Sequence, residues 1–209
     1  MIQFISNQTE RYTHAEGIRL ALEGGCRWIQ LRMKEAEKAE VIETGKVVRE
    51  LCTAFHATFI LDDHVDLVHA VGADGVHLGR LDMPVEEARR VLGPDKIIGG
   101  TANTLDDVER ICREGADYIG CGPFRYTTTK KRLAPLLGLE GYRRILEGMR
   151  ERRLSLPLVA IGGITREDVP ALMATGVTGI AVSGTVLRAA DPADEMAQLI
   201  SMIHKTTIK

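Results

Sequence analysis

The chain has 209 residues, 44% of them hydrophobic and 27% charged, a composition typical of a soluble globular protein of one domain. Its net charge of −2 argues against a broadly basic nucleic-acid binder, although a small cationic pocket needs only a few basic residues. We see no membrane-spanning apolar run, no secretory signal pattern and no metal-binding spacing among the four cysteines. We therefore expect a cytoplasmic protein with one domain over residues 1–209, with no nucleic-acid or membrane partner.

Short apolar runs alternate with longer amphipathic runs along the whole chain, which predicts alternating strands and helices. The predicted strands are 3–5, 28–32, 58–61, 75–78, 97–100, 118–121, 158–161 and 180–183. The predicted helices are 12–23, 37–54, 64–70, 84–91, 104–113, 139–150, 165–174 and 192–203. The last residues, from His204 onward, lose the apolar spacing and are predicted to fray.

A weak internal repeat supports this alternation. Glycine makes up 21 of the 209 residues, and four segments share a pattern in which a glycine ends a helix and an apolar strand follows. These segments begin at Gly25, Gly72, Gly115 and Gly176. Strict alternation of strand and helix predicts a parallel sheet, and eight units predict an α/β fold, a compact (β/α)8 TIM barrel. A doubly wound open sheet is the alternative, but the segment after the first strand lacks its glycine-rich loop.

Basic and amide side chains follow the second predicted strand. In a barrel the carboxyl ends of the strands form the functional face. Gln30, Arg32 and Lys34 alternate along the chain, so an extended segment places them on one side, where they suit an anionic ligand. The alternative is ordinary surface charge where the strand ends.

Acidic residues follow the third and fourth strands. Asp63 and Asp82 would lie at neighbouring strand ends and could share a Mg2+ ion with substrate oxygens and water. The alternative is that Asp62 or Asp63, and Asp82, cap the helices that follow them. His77, inside the fourth strand, is predicted to line the barrel.

Hydroxyl residues and glycines follow the later strands. Thr101 follows a glycine pair, and the long segment after strand six carries three threonines and two lysines, which favours an anion-binding loop. Gly163 and Ser183-Gly184 follow strands seven and eight, where many barrels bind phosphate through backbone N–H groups. Together these residues predict a ligand with a diphosphate, Mg2+ and a second phosphate. No covalent nucleophile lies beside a base.

The motifs QLRMK, DD, GVHLGRLD, GGT, GPFRYTTTK, IGGI and AVSG resemble, in order, those of the thiamine-phosphate synthase family. The resemblance runs from about Gln30 to Thr185, and its most specific part is the TxTK loop combined with the two spaced acids. It implies a transferase of thiamine biosynthesis that couples hydroxymethylpyrimidine diphosphate to thiazole phosphate and releases pyrophosphate. The resemblance also implies that both substrates are small molecules and that Mg2+ is the cofactor, and it allows a homo-oligomer.

The resemblance also implies roles for individual residues. Arg32, Lys34 and Lys130 would be catalytic, and Asp63 and Asp82 would hold Mg2+. The substrate-binding positions would be Gln30, Leu31, Arg32, Met33, Lys34, Asp62, Thr101, Thr127, Thr128, Thr129, Lys130, Gly163, Ser183 and Gly184. Within that set, the pyrimidine diphosphate would meet the segment from Gln30 to Lys34 with Asp62, Thr101 and Lys130. The thiazole phosphate would meet the three threonines, Gly163, Ser183 and Gly184.

Four positions depart from the family pattern. Asp62 stands where the family usually has Asn, Arg80 replaces Gln, Tyr126 replaces the loop proline, and Ser183 lies one place earlier than the family's serine. Two other functions stay open. One is a thiazole tautomerase-type barrel enzyme, which needs no diphosphate pocket. The other is a non-catalytic sensor of a phosphate ligand, which would not need the metal-binding acids.

Overall fold

The computed structural model describes residues 1–126 and 135–207. Eight parallel strands pair in sequence order and close into a barrel, with β1 hydrogen-bonded to both β2 and β8. The strands are β1 Ile2–Ile5, β2 Trp28–Leu31, β3 Thr58–Asp62, β4 Gly75–Leu78, β5 Ile97–Ala102, β6 Tyr118–Cys121, β7 Leu158–Ile161 and β8 Gly179–Val182. The predicted TIM barrel is confirmed, and the open sheet is excluded because no strand edge is left unpaired in this set of eight.

Helices surround the barrel, and most lie where the apolar spacing predicted them. The helices are α1 His14–Glu23, α2 Lys38–Ala54, α3 Val85–Leu92, α4 Leu105–Glu114, α5 Gly138–Glu151, α6 Val169–Met173, α7 Gly184–Leu187 and α8 Pro192–Thr207. The predicted fraying is wrong for residues 204–207, because α8 continues through Thr207, and Ile208 and Lys209 lie outside the described residues.

Two other helix predictions are wrong in detail. The segment 64–70 holds only a 3-10 turn, Val65–Leu67, although its apolar side chains are buried as a helix face would be. The segment 165–174 is a 3-10 turn, Arg166–Asp168, followed by α6, and Pro170 stands in the first turn of that helix. Proline lacks the N–H that a continuous helix through this segment would need, so a new helix, α6, begins here with the proline in its first turn.

The repeated segments form hydrogen bonds between neighbouring strands at the amino-terminal end of the barrel. All four repeat glycines have positive φ, between 67° and 99°, as expected for glycines that end helices. In the second repeat the N–H of Asp74 donates to the Phe59 carbonyl at 2.8 Å, and the Phe59 N–H donates to the Asp74 carboxylate at 2.7 Å. Asp117 forms the same reciprocal pair with Ile98, and Thr178 forms it with Leu158. These three repeats therefore tie β4, β6 and β8 each to the strand before it.

Strand alternation separates two environments. Residues such as Phe4, Ile29 and Leu31 face outward and pack in the large core between the sheet and the helices. A smaller cluster that includes Ile5, Tyr118 and Val159 fills the barrel interior. The buried polar residues of the strands are Gln3, Gln30, Asp62 and His77. Gln30, Asp62 and His77 lie in the carboxyl-terminal part of their strands, so one end of the barrel is polar inside.

Candidate active site

A cavity of about 980 Å3 opens at the carboxyl ends of the strands. It brings together residues from most of the barrel, including Arg32, Lys34, Asp82, Thr101, Gly163 and Ser183. These positions are separated by up to 151 residues in sequence and meet only because parallel strands end on the same face. Predicted site residues that follow strands two, four, five, seven and eight therefore share one pocket. Gln30, Leu31, Asp62 and Asp63 are not among the residues that line it.

A buried carboxylate organises the cationic side of this cavity. Asp62 ends β3 and is 5% exposed, and its Oδ1 accepts a hydrogen bond from Gln30 Nε2 at 2.5 Å. Its Oδ2 lies 3.7 Å from Arg32 Nε and 3.9 Å from Lys34 Nζ. The three side chains predicted to share one side after β2 do converge, and Asp62 is the group they converge on.

The ammonium of Lys34 is shared by three acids. Lys34 Nζ lies 2.6 Å from Asp63 Oδ2 and 3.7 Å from Asp82 Oδ2, in addition to its contact with Asp62. Asp82 also accepts the Gly79 N–H at 2.6 Å. Neither Asp63 nor Asp82 caps a following helix, because the adjacent turn and helix have no side-chain cap bond. The capping alternative is therefore wrong for both acids.

The backbone conformation and the burial of Asp63 both cost free energy. Its φ is 65°, in the left-handed region that non-glycine residues seldom occupy, and its Oδ1 is buried without a hydrogen-bond partner among the described residues. Burial raises the pKa of Asp63 to about 8, and its neighbours Asp82 and Asp62 add to the effect. Burial also acts on Asp82, but hydrogen bonding to Asp63 and the charge of Lys34 outweigh it and lower the pKa of Asp82.

These acids have the chemistry of a divalent-cation site with an incomplete ligand set. Within residues 1–126 and 135–207, no three His, Cys, Asp or Glu side chains form a metal cluster. Asp63 and Asp82 nevertheless already share one cation, the Lys34 ammonium, and the buried Oδ1 of Asp63 has a lone pair to offer. Two carboxylates completed by water and substrate oxygens are a usual arrangement for Mg2+. The residues present therefore fit this ion.

The opposite side of the cavity is built from backbone turns. Gly162 and Gly163 have φ of 101° and 67°, conformations that require glycine, and they follow β7 directly. Ser183 Oγ is buried with no partner in the described part of the chain. Thr185 donates its hydroxyl to the Ile164 carbonyl, which ties the two turns together.

Arg188 belongs to this side of the cavity and was not predicted from the sequence. A Cβ built on Gly184 would overlap the Arg188 guanidinium, so the arginine lies directly over that glycine. Arg188 also lines the cavity, and it has no ion-pair partner in the residues that the structure describes. No sequence signal marked it, because it follows the short helix α7, which is too brief to show apolar spacing.

A serine–histidine pair supports the loop after β2 and was likewise missed. Ser6 Oγ accepts the Arg32 N–H at 3.0 Å and lies 2.8 Å from His14 Nδ1. Burial lowers the pKa of His14, and the charge of Arg32 lowers it further. The pair fixes the backbone of Arg32 at the edge of the cavity.

Several predicted positions have a different outcome. The Leu31 side chain does not line the cavity: it is fully buried in the outer core because it alternates with Gln30 and points away from the barrel interior. Met33 lines the cavity and is 6% exposed. Arg80 lines it as well, with its Nε 3.7 Å from Asp107 Oδ1. Thr127, Thr128, Thr129 and Lys130 lie outside the described residues.

The cysteines offer no alternative nucleophile. None is in a disulfide, and Cys26, Cys52 and Cys121 are buried. Burial raises the pKa of both Cys52 and Cys121 to about 12, so their thiols stay protonated near neutral pH. No helix of the described chain is long and apolar enough to cross a membrane.

The fold and cavity define the class of protein: a TIM-barrel enzyme whose site suits anionic substrates. The model of the thiamine monophosphate synthase family matches residues 2–186. The thiamine-phosphate synthase of Phocaeicola vulgatus is 58% identical over 201 residues, which cover 96% of this chain and 97% of that protein. The thiamine-phosphate synthase of Flavobacterium psychrophilum is 45% identical over 204 residues, or 98% of this chain and 97% of that protein.

A solved structure gives the same result. The thiamine phosphate pyrophosphorylase from Pyrococcus furiosus superposes with a TM-score of 0.87 at 37% identity, covering 98% of this chain and 96% of that one. The chain belongs to the thiamine monophosphate synthase family. The predicted family and the predicted thiamine-phosphate synthase activity in thiamine biosynthesis are thereby confirmed.

Proposed function

We propose that the chain couples 4-amino-2-methyl-5-hydroxymethylpyrimidine diphosphate to 4-methyl-5-(2-hydroxyethyl)thiazole phosphate, giving thiamine phosphate and pyrophosphate with Mg2+ as cofactor. The observation that carries the proposal is the position of Lys34. It lies between Asp62, Asp63 and Asp82 and next to Arg32, at the edge of a cavity whose far side is a glycine-rich turn. This arrangement offers cations and a metal site to a diphosphate, and separate backbone turns to a second phosphate.

The reaction needs charge stabilisation more than proton transfer. The C–O bond between the pyrimidine methylene and the diphosphate breaks, and pyrophosphate leaves with the electron pair. Arg32 and Lys34 would neutralise the charge that gathers on the leaving group, which is usually the largest catalytic contribution in such a site. Asp63 and Asp82 would hold Mg2+, which when bound would act as a Lewis acid and orient the diphosphate oxygens.

The second substrate supplies the new bond. Its thiazole ring nitrogen attacks the methylene carbon through a lone pair, and no proton has to be removed from that nitrogen. A general base is therefore unnecessary, and no cysteine is among the described residues that line the cavity. Gly163, Ser183 and Gly184 would hold the thiazole phosphate, with Arg188 as an additional cation.

The substrate-binding roles of Gln30, Asp62, Thr101 and Met33 belong to the same proposal, as do those of Thr127, Thr128, Thr129 and Lys130, which rest on the family resemblance. The free thiols of the four cysteines support the predicted cytoplasmic location. A homo-oligomer and a single domain over residues 1–209 stay predictions.

The test is a coupled assay by mass spectrometry with both substrates and Mg2+. We expect thiamine phosphate and pyrophosphate in equal amounts, no product when either substrate is omitted, and no product with excess EDTA. Isomerised thiazole phosphate without a new C–N bond would instead indicate a tautomerase. Binding of thiazole phosphate without turnover would indicate a sensor. Full activity in EDTA would contradict the role of the metal.

A further inference from the structure

A line of polar side chains crosses the barrel interior directly below the cavity. Gln3 Nε2 donates to the Tyr118 hydroxyl at 3.3 Å, deep in the barrel. The Tyr118 hydroxyl lies 3.0 Å from His77 Nδ1, and His77 Nε2 lies 2.9 Å from Thr101 Oγ1. Thr101 lines the cavity, so the line begins in the buried interior and ends where substrate would bind.

Two glycines make room for these rings. A Cβ built on Gly120 would lie 2.8 Å from His77 Cε1, and one built on Gly99 would overlap the Tyr118 ring. Trp28 packs edge-on against Tyr118 with ring centroids 4.8 Å apart. Strands β5 and β6 thus carry glycine, without a side chain, at the two positions where the rings pack. Such fitted packing restrains Tyr118 and His77 to one arrangement.

The direction of the hydrogen bonds follows from the donor end. The Gln3 amide nitrogen can only donate, so the Tyr118 oxygen accepts from it. Among the described contacts of this hydroxyl, His77 Nδ1 is the atom left to accept the tyrosine proton, and we assign the bond in that direction. Burial raises the pKa of Tyr118 above its usual range, which keeps this hydroxyl protonated. With Nδ1 accepting, neutral His77 carries its proton on Nε2 and donates it to Thr101 Oγ1. The Thr101 proton is then directed away from His77, towards the cavity.

We propose that Tyr118 and His77 are positioning residues that orient the Thr101 hydroxyl as a hydrogen-bond donor to the pyrimidine diphosphate. The proposal rests on the proposed function for the identity of that acceptor. A donor fixed in advance costs no reorganisation when charge develops on the substrate, whereas a freely rotating hydroxyl can also act as an acceptor. Neither ring needs to touch the substrate for this effect.

A double-mutant cycle tests whether Tyr118 acts through Thr101. Tyr118→Phe keeps the ring packing and removes only the hydroxyl. We expect it to lower kcat/KM about tenfold in the wild-type background, as for the loss of one well-placed hydrogen bond, but less than twofold in Thr101→Val. Equal losses in both backgrounds would overturn the proposal, as would no loss in the wild type.

The matched control is Tyr142→Phe. Tyr142 is also fully buried, but its hydroxyl donates to the backbone carbonyl of Cys121, and neither residue lines the cavity or takes part in the His77–Thr101 hydrogen bond. We expect this variant to keep wild-type kcat/KM even if its melting temperature falls. A tenfold loss of kcat/KM in Tyr142→Phe would mean that removing any buried tyrosine hydroxyl disturbs catalysis, and the proposal would fail.

Nitrogen-15 NMR of the histidines gives a readout that does not depend on turnover. The His77 signals are assigned by their loss in His77→Gln. We expect the neutral Nε2–H tautomer in the wild type and in Tyr142→Phe, and a mixture of tautomers in Tyr118→Phe. A wild-type Nδ1–H tautomer would overturn the proposed direction even if the enzyme makes thiamine phosphate. The Nε2–H tautomer in a protein that lacks this activity would contradict the proposed function alone.

Discussion

The two ends of the barrel use the same residue types in opposite ways. At the amino-terminal end, Asp74 is paired with Arg49 at 3.0 Å and Asp117 with Arg89 at 2.6 Å, one cation for each acid. Both carboxylates also accept strand N–H groups and are more than 40% exposed. At the carboxyl-terminal end, the three acids Asp62, Asp63 and Asp82 are at most 21% exposed and share Lys34.

This difference separates stability from function. Exposed, one-to-one pairs that also satisfy backbone groups lower the free energy of the folded state. Three largely buried acids that share one lysine raise the free energy of the folded state, and so does the left-handed backbone conformation of Asp63. Under the proposed function, Mg2+ and the pyrimidine diphosphate would complete this arrangement. Substitutions at the carboxyl-terminal end should therefore lower activity more than stability, and substitutions at the amino-terminal end should lower stability more than activity.

Asp63→Asn should have the largest effect. Asparagine tolerates the left-handed backbone but removes a charge from the proposed metal site. We expect kcat/KM to fall about 10²–10³-fold, as when one electrostatic catalytic group is lost, while the melting temperature at pH 8 stays equal or rises. Steady-state kinetics and thermal unfolding measure the two. Near-wild-type turnover would contradict the functional role of this end.

Asp117→Ala should give the reverse signature. It leaves the Ile98 N–H and the Arg89 guanidinium without their carboxylate, and a buried donor such as the Ile98 N–H that loses its acceptor costs about 1–3 kcal/mol. We expect a lower free energy of unfolding in urea and an unchanged kcat/KM for the folded enzyme. A loss of turnover without a loss of stability would break the comparison.

Asp62→Asn tests how the Asp62 carboxylate affects substrate binding by the cations beside it. An asparagine oxygen can still accept from Gln30, but Arg32 and Lys34 no longer share their charge with the carboxylate of residue 62. We expect KM for the pyrimidine diphosphate to fall by about threefold to tenfold, the size of one weakly screened charge contact. The control is Asp66→Asn, which removes an exposed acid paired with Lys38. A higher KM in Asp62→Asn would show that the carboxylate itself helps to bind substrate.

The smallest effect concerns His14 and pH. Its pKa is lowered in the fold by burial and by Arg32, so the unfolded chain takes up a proton first as pH falls below about 6.5. His14 is therefore neutral above that pH, and stability is lost as pH falls from there to the folded pKa. We expect His14→Gln to lose less melting temperature than wild type between pH 7.5 and 5.5. His204→Gln, at an exposed position, should follow the wild type.

The fold was predictable because its signals are local. Apolar runs of three to five residues placed the eight strands to within two residues. Local signals failed where packing decided the outcome. The segment 64–70 has the burial of a helix without its backbone, and α7 is only four residues long.

The site was predictable only in part. Strand-end position correctly brought Gln30, Asp62, Asp82 and Thr101 to one region. It did not reveal that Asp63 has positive φ, or that Ser6 and His14 hold the backbone of Arg32, since these depend on contacts between distant segments. The family resemblance assigned Leu31 to the substrate, although strand alternation turns that side chain into the outer core.

The most direct test of the account is divalent-ion binding by the paired variants. Mn2+ binding in the presence of pyrophosphate can be followed by electron paramagnetic resonance for wild type, Asp63→Asn and Asp117→Ala. The account predicts that wild type and Asp117→Ala bind Mn2+ equally well, and that Asp63→Asn binds at least tenfold more weakly, a change of ~1.4 kcal/mol. Equal binding by all three proteins would contradict it.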